Sequence, residues 1–216
     1  MGQEIELKLS IQREDVDRLV HHPFVQKYSV APPVKKHLIN HYYDTPGQDL
    51  RAHGMALRIR FDGEHYIQTL KTRGKGIKGL KVRGEWEWRV DGFQIELNRI
   101  PPDACPPDLR AKLDRLTPVF QTDFERIAWL LRVPAGERFN IQTPARVEMA
   151  LDQGEVVTHT EKGRVCDAIL EMELELQEGD PEVLFRISDL LGRDIHLVAS
   201  DISKARRGYR LLGRYH

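Results

Sequence analysis

The sequence predicts an α+β fold: an antiparallel β-barrel or strongly curved sheet with flanking helices. Three observations predict it. Roughly eight segments carry β-type patterning, several with apolar and charged residues in strict alternation. Short turn signals join neighbouring segments, as in a hairpin array. Two or three helical segments accompany them, which suits the α+β class.

The elements follow in order. Residues 4–10 form a strand in which Ile5, Leu7 and Leu9 alternate with Glu4, Glu6 and Lys8. A helix spans 14–22, with an apolar stripe of Val16, Leu19 and Val20. A second strand spans 36–43, and Asp44-Thr45-Pro46-Gly47 reads as a turn. Strands 56–61 and 65–71 enclose the turn Asp62-Gly63. A Gly- and Lys-rich loop, 72–79, leads to a strand at 80–90. A proline-rich connection opens a helix at 108–116. Strands follow at 123–133, 145–152, 155–161 and 167–177, then a helix from Asp180 or Pro181 through Leu191. The tail, 197–212, carries no clear period. The 216 residues suit one domain, 1–216, with no internal repeat.

Composition narrows the function classes. Lysine plus arginine equals aspartate plus glutamate, 33 of each, so the basic excess of a nucleic-acid binder is missing. No apolar run approaches a membrane span, and the start MGQEIELKLS has no apolar signal core. The two cysteines, Cys105 and Cys166, have no metal-ligand spacing. These features predict a cytoplasmic protein that binds neither nucleic acid nor membrane.

The chemistry lies in which charges share a strand face. Alternation puts Glu4, Glu6 and Lys8 on one face, Glu171, Glu173 and Glu175 on another, and Arg58 and Arg60 on a third, with Lys71 ending the partner strand. A solvated sheet face explains any one of these. Together they are harder to assign to a surface, because three carboxylates in a row repel unless a cation sits among them. Carboxylates two residues apart suit Mg²⁺ or Mn²⁺, and arginines and lysines on the other walls suit phosphate oxygens. That combination is what phosphoryl transfer needs. On this reading Lys8, Arg58 and Arg60 bind phosphate and do not stabilise the fold. The pair His21-His22 points to different helix faces, which favours solvated histidines over a metal site. Trp86 and Trp88 share the face opposite Glu85 and Glu87, and are expected to pack under a helix.

These residues resemble a known group. Glu4-Ile5-Glu6-Leu7-Lys8 is similar to the ExExK motif of the CYTH, or triphosphate tunnel metalloenzyme, superfamily. His41-Tyr42-Tyr43-Asp44-Thr45-Pro46, Leu57-Arg58-Ile59-Arg60, Thr69-Leu70-Lys71 and Arg83-Gly84-Glu85-Trp86 resemble further segments. So do Asp123-Phe124-Glu125-Arg126, Glu148 through Gly154, Glu171 through Glu175, and Ser203-Lys204. The likeness covers nearly the whole chain, and within the superfamily it is to the bacterial inorganic triphosphatases.

The resemblance implies an eight-stranded antiparallel tunnel that hydrolyses inorganic triphosphate with Mg²⁺ or Mn²⁺. It implies metal ligands Glu4, Glu6, Glu171, Glu173 and Glu175. It implies substrate contacts from Lys8, Arg58, Arg60, Lys71, Arg126 and Lys204, the first four catalytic, with Arg83, Glu85, Glu148 and Asp152 supporting them. The alternatives are thiamine-triphosphatase or nucleoside triphosphatase activity, class IV adenylate cyclase, and a non-catalytic polyphosphate-binding module. Cyclases of the group commonly carry an HF-like pair before ExExK, where this sequence has only Met1-Gly2-Gln3. Bacterial relatives often continue into a histidine-rich CHAD domain; the 9 histidines here form no such segment. The five glutamates of the two acidic strands argue against a pure binding module.

Overall fold

A computed structural model describes residues 2–161 and 163–213. Its strands are β1 (Gly2–Ile11), β2 (Val34–Asp44), β3 (Ala56–Phe61), β4 (Tyr66–Lys71), β5 (Lys75–Ile77), β6 (Leu80–Val90), β7 (Thr117–Val133), β8 (Ala145–Thr160), β9 (Gly163–Glu178) and β10 (Leu197–Ala199). The helices are α1 (Val16–Val20), α2 (Pro23–Tyr28), α3 (Asp49–Ala52), α4 (Pro107–Arg110), α5 (Glu182–Leu191) and α6 (Lys204–Gly213). Every ladder is antiparallel. The order β1-β9-β8-β7-β2-β3-β4-β6 closes because β6 pairs back onto β1, giving an eight-stranded barrel; β10 and β5 extend single edges.

The barrel is inverted in polarity. Period-two alternation on β1 sends Glu4, Glu6 and Lys8 inward and Leu7 and Leu9 outward. The outward residues are buried all the same, because helices cover them. Leu7, Leu9, Trp129, Leu131, Met149, Leu151, Met172 and Leu174 pack beneath α1, α2 and α5, whose own Leu19, Phe24, Val183, Leu184 and Ile187 are buried against them. A second outer cluster joins Leu57, Ile59, Leu70, Trp86 and Trp88 to Leu50 of α3 and Leu109 of α4. The two tryptophans thus pack beneath helix, as expected. Each fully buried leucine contributes about 1.5–3 kcal/mol, so these outer layers, and not the interior, hold the barrel together.

The C-terminal helix α6 goes inside. Tyr209 and Leu212 pack on Leu38, Phe120, Phe124, Val156 and Ile169. Gly208 is required there, since a Cβ would stand 2.2 Å from the Phe120 ring. The Tyr209 hydroxyl donates to Asp44 Oδ2 at 2.6 Å. Asp44 also accepts from the backbone N–H groups of Thr45, Leu50 and Arg51, which ties the 44–51 turn to α6.

Several elements differ from the sequence reading. Strands 145–152 and 155–161 are one strand, β8. Gly154 is not a turn residue: it faces β7, where a Cβ would stand 2.2 Å from Asp123 O. The helix at 14–22 is a 3-10 turn followed by α1, and the one at 108–116 breaks into α4 and a 3-10 turn. His22 is buried, not solvated: as N-cap of α2, its Nδ1 accepts from Phe24 N at 3.1 Å. The loop 72–79 contains β5. Among the described residues no helix is long and apolar enough to cross a membrane.

Candidate functional site

Register carries the charged strand faces to one place. Across β1, β9 and β8, Glu6 faces Glu175, which faces Glu148; one step along, Lys8 faces Glu173; one further, Glu171 faces Asp152. Arg126 of β7 faces Asp152, Arg58 of β3 faces Tyr42 and Thr69, and Lys71 of β4 faces Glu85. Apart from Asp152, Glu171 and Thr69, these residues line a cavity of about 660 Å³, together with Glu4, Arg60, Arg83, Glu87 and Lys204. Of the predicted site residues, only Glu171 and Asp152 stand behind its lining.

The acidic wall has two patches. In the deeper one, oxygens of Asp152, Glu171 and Glu173 lie within 4.8 Å of one another. Lys204 Nζ reaches Asp152 Oδ2 at 2.5 Å and Glu173 Oε1 at 3.1 Å, and also bonds Glu171. Lys8 Nζ reaches Glu171 Oε1 at 2.9 Å and bonds Glu173. Arg126 grips Asp152 with two bonds of 2.7 Å and Glu173 with one of 2.5 Å. Burial would raise the Glu173 carboxyl, but Lys204, Lys8 and Arg126 override it and hold the group well below the usual range. Both lysines are therefore structural; Lys8 keeps one N–H for an anion, whereas Lys204 gives all three to carboxylates. Removing either leaves buried carboxylates uncompensated, which revises the expectation that Lys8 plays no part in stability.

The second patch is the row Glu6, Glu175 and Glu148, with Glu4 beside it. Arg83 bridges the β1 pair, with Nε at 2.6 Å from Glu4 Oε2 and Nη2 at 2.9 Å from Glu6 Oε1. Lys71 reaches Glu4 at 2.7 Å and Glu85 at 3.1 Å. Burial would raise Glu4, but Lys71 and Arg83 hold it down to about 2. For Glu175 the help from Lys71 is outweighed. Burial and the charges of Glu4 and Glu148 push it up to about 7.

The opposite wall carries two arginines that form no ion pair among the described residues, with Glu85 and Glu87 acting on them at longer range. Arg58 is buried, bonds Tyr42, forms no ion pair among the described residues, and has its Nε unpartnered. Arg60 donates from Nε to Asn40 Oδ1 at 3.0 Å and has no carboxylate partner among the described residues. Burial and the neighbouring Arg58 and Arg126 charges bring its guanidinium down to about 10. Such a pair of guanidiniums suits an anion with several oxygens.

A divalent cation fits the opposing acids. The donors are all hard oxygens, Glu171 Oε2 is buried without a hydrogen-bond partner, and neither Glu175 nor Glu148 forms an ion pair among the described residues. The deeper cluster of Asp152, Glu171 and Glu173 is likewise consistent with metal binding.

Sequence reading missed several contributors. Tyr42 and Asn40 lie on β2, whose two faces are both substantially buried, so alternation does not separate them. Glu87 lines the cavity beside Glu85 and accepts from Thr69 Oγ1 at 3.0 Å. Its β6 parity with Glu85 was the available signal. Arg51, Arg206, Tyr209 and Arg210 line the mouth; their signal was the apolar spacing of Ala205, Tyr209 and Leu212, masked by four basic residues in the same ten.

Comparison with known proteins agrees with this geometry. Residues 2–209 match the CYTH domain. An inorganic triphosphatase of Haemophilus influenzae is 32% identical over 211 residues, covering 98% of this chain and 55% of that protein; the chain thus spans about half the length of the curated relative it matches. Among solved structures, a Hippeastrum protein, described as a candidate adenylyl cyclase with a dominant triphosphatase activity, aligns with a TM-score of 0.62. It is 19% identical, over 96% of this chain and 95% of that one. A Pyrococcus horikoshii OT3 protein aligns with a TM-score of 0.54 and 20% identity over 98% of each chain. At those identities the two structures speak for the fold.

Proposed function

This chain belongs to the CYTH-domain family, and on that premise we propose that its tunnel hydrolyses inorganic triphosphate to diphosphate and phosphate. The observation that carries the proposal is Arg58 and Arg60: two guanidiniums without carboxylate partners among the described residues, facing an acidic wall across one cavity. The curated relative named as an inorganic triphosphatase supports it.

Arg58 and Arg60 would take the equatorial phosphate oxygens, with Lys8 and Arg126 on the facing wall keeping unused donors for the same chain. Lys71, Arg83 and Lys204 hold the carboxylates in place. Glu6, Glu148 and Glu175 would hold Mg²⁺ or Mn²⁺, with Glu4, Glu171 and Glu173 adjoining. The cation, when bound, supplies charge neutralisation and a more acidic water. The side chains position the terminal phosphorus for in-line attack by water, and most of the rate then comes from that positioning and from fixed charge.

Cavity volume does not decide between triphosphate and a nucleotide, since about 660 Å³ would admit either. The lining does. It is charged on nearly every wall, and the aromatic rings it offers, Tyr42, Phe124 and Tyr209, are themselves buried in packing. A nucleoside would gain no base-reading contact. The test is kcat/KM for inorganic triphosphate, ATP and thiamine triphosphate in one metal buffer. Inorganic triphosphate is expected to lead by tenfold or more; either competitor leading by that margin overturns the substrate assignment.

A further inference from the structure

We propose that the cavity mouth carries an outer anion subsite, made by Arg51, Arg206 and Arg210, which takes the fourth and later phosphates of a linear polyphosphate whose leading end lies in the tunnel. The inference rests on the triphosphatase reading and extends it in chain length.

Arg206 and Arg210 are four residues apart on α6, so they share a helix face. The first turn of α6 holds Lys204, Arg206 and Arg207 and no acid, the reverse of what a helix N-terminus favours by itself. Arg51 joins them from α3: its guanidinium lies 5.1 Å from the centroid of the Tyr209 ring, and Nη1 donates to Gln48 Oε1 at 2.6 Å. All three arginines are exposed, line the mouth and form no ion pair among the described residues. Arg207 differs: it turns to β9, donating to Ala168 O and standing 3.6 Å from Glu171.

A second observation points inward from that rim. Arg58 is 8% exposed, its Nε has no partner, and it lines the same cavity. Gly54, Met55 and Ala56 line the same cavity, and β3 continues from Ala56 through Arg58 to Arg60. The cations thus form a file from rim to interior. A ligand matching it is a linear anion with charge at every unit. Nucleic acid fits less well, because the one ring at the rim, Tyr209, is buried and covered by Arg51.

The reaction needs no added reactant. Water oxygen bonds to the terminal phosphorus, the adjacent bridging P–O bond breaks, its electron pair stays on the shortened chain, and the proton leaves to solvent.

The experiment compares kcat/KM for inorganic triphosphate and for a long-chain polyphosphate of defined length. The proteins are wild type, the double variant Arg206→Ala/Arg210→Ala, and Arg51→Ala, which changes no residue of α6. Both variants should lower the long-chain to triphosphate ratio, the double variant about tenfold, or about 1.4 kcal/mol. The wild-type advantage should shrink as salt rises. An unchanged ratio, or equal loss on both substrates, overturns the subsite; so does a 5′-triphosphorylated oligonucleotide whose kcat/KM exceeds that of the long chain and depends on the same arginines. A wild type that releases no phosphate from triphosphate refutes the triphosphatase reading instead. Calorimetric binding of the long chain then decides the rim: weaker binding by the double variant supports it, and equal binding refutes it.

Discussion

Glu148 and Glu175 face each other across the β8–β9 ladder inside the barrel, and neither forms an ion pair among the described residues. Two like charges directly opposite are unfavourable in a sheet. Their cost is relieved by a divalent cation, so this is where binding should be most sensitive. Glu175→Gln is expected to weaken Mn²⁺ binding by roughly 100-fold or more, at or beyond the upper end of losses from residues that only support ligands. Calorimetric titration at fixed pH measures it. Affinity within threefold of wild type would move the cation elsewhere in the wall.

The same carboxylate gives a pH dependence of stability. Its pKa is raised, from 4.5 to about 7, so the folded state favours the protonated form. That contribution is fully present below pH 4.5 and is lost as pH rises through 7. In chelator, Glu175→Gln should therefore melt a few degrees above wild type at pH 8 and close to it at pH 4.5. Equal differences at both pH values would refute the assignment. Glu4 has the opposite sign: held at about 2, it stabilises above pH 4.5 and ceases to as pH falls toward 2.

Lys8 and Arg60 should separate stability from catalysis. Lys8 is 3% exposed and bonds two carboxylates, so Lys8→Ala should cost about 3–5 kcal/mol of stability, the scale of breaking a buried pair. Arg60 has no acid partner among the described residues and is crowded by Arg58 and Arg126. Arg60→Ala should leave the melting temperature intact or raised, while costing about 2–4 kcal/mol in kcat/KM. Chemical denaturation and steady-state kinetics on both variants check this. A collapsed Arg60→Ala fold would make that residue structural.

The acidic and basic strand faces were legible in the sequence because β1, β3 and β9 each alternate one charged face with one apolar face. Covering helices then bury the apolar side, which is why a pattern typical of a surface strand builds a charged interior. The rest was hidden for physical reasons. The sequence reading breaks a strand between 152 and 155, where Gly154 instead serves close approach to β7. The tail that holds α6 shows no clear period, because its apolar face is narrow and meets the barrel interior instead of an outer layer.

α6 should respond as one unit with the 44–51 turn. Tyr209→Phe removes the 2.6 Å bond to Asp44 and should cost about 1–3 kcal/mol of stability. Because α6 also carries Lys204 to Asp152, kcat should fall as well. Hydrogen exchange localised to α6 and residues 44–51 would establish the coupling; exchange confined to α6 would refute it.

The central claim is metal-dependent hydrolysis of triphosphate in this tunnel. Its most direct test is orthophosphate and diphosphate release from inorganic triphosphate by the metal-stripped protein, before and after Mg²⁺ or Mn²⁺ is restored. The account predicts one of each product per triphosphate with metal, and no turnover in chelator. Undiminished turnover after exhaustive chelation, or none with either metal, would contradict it.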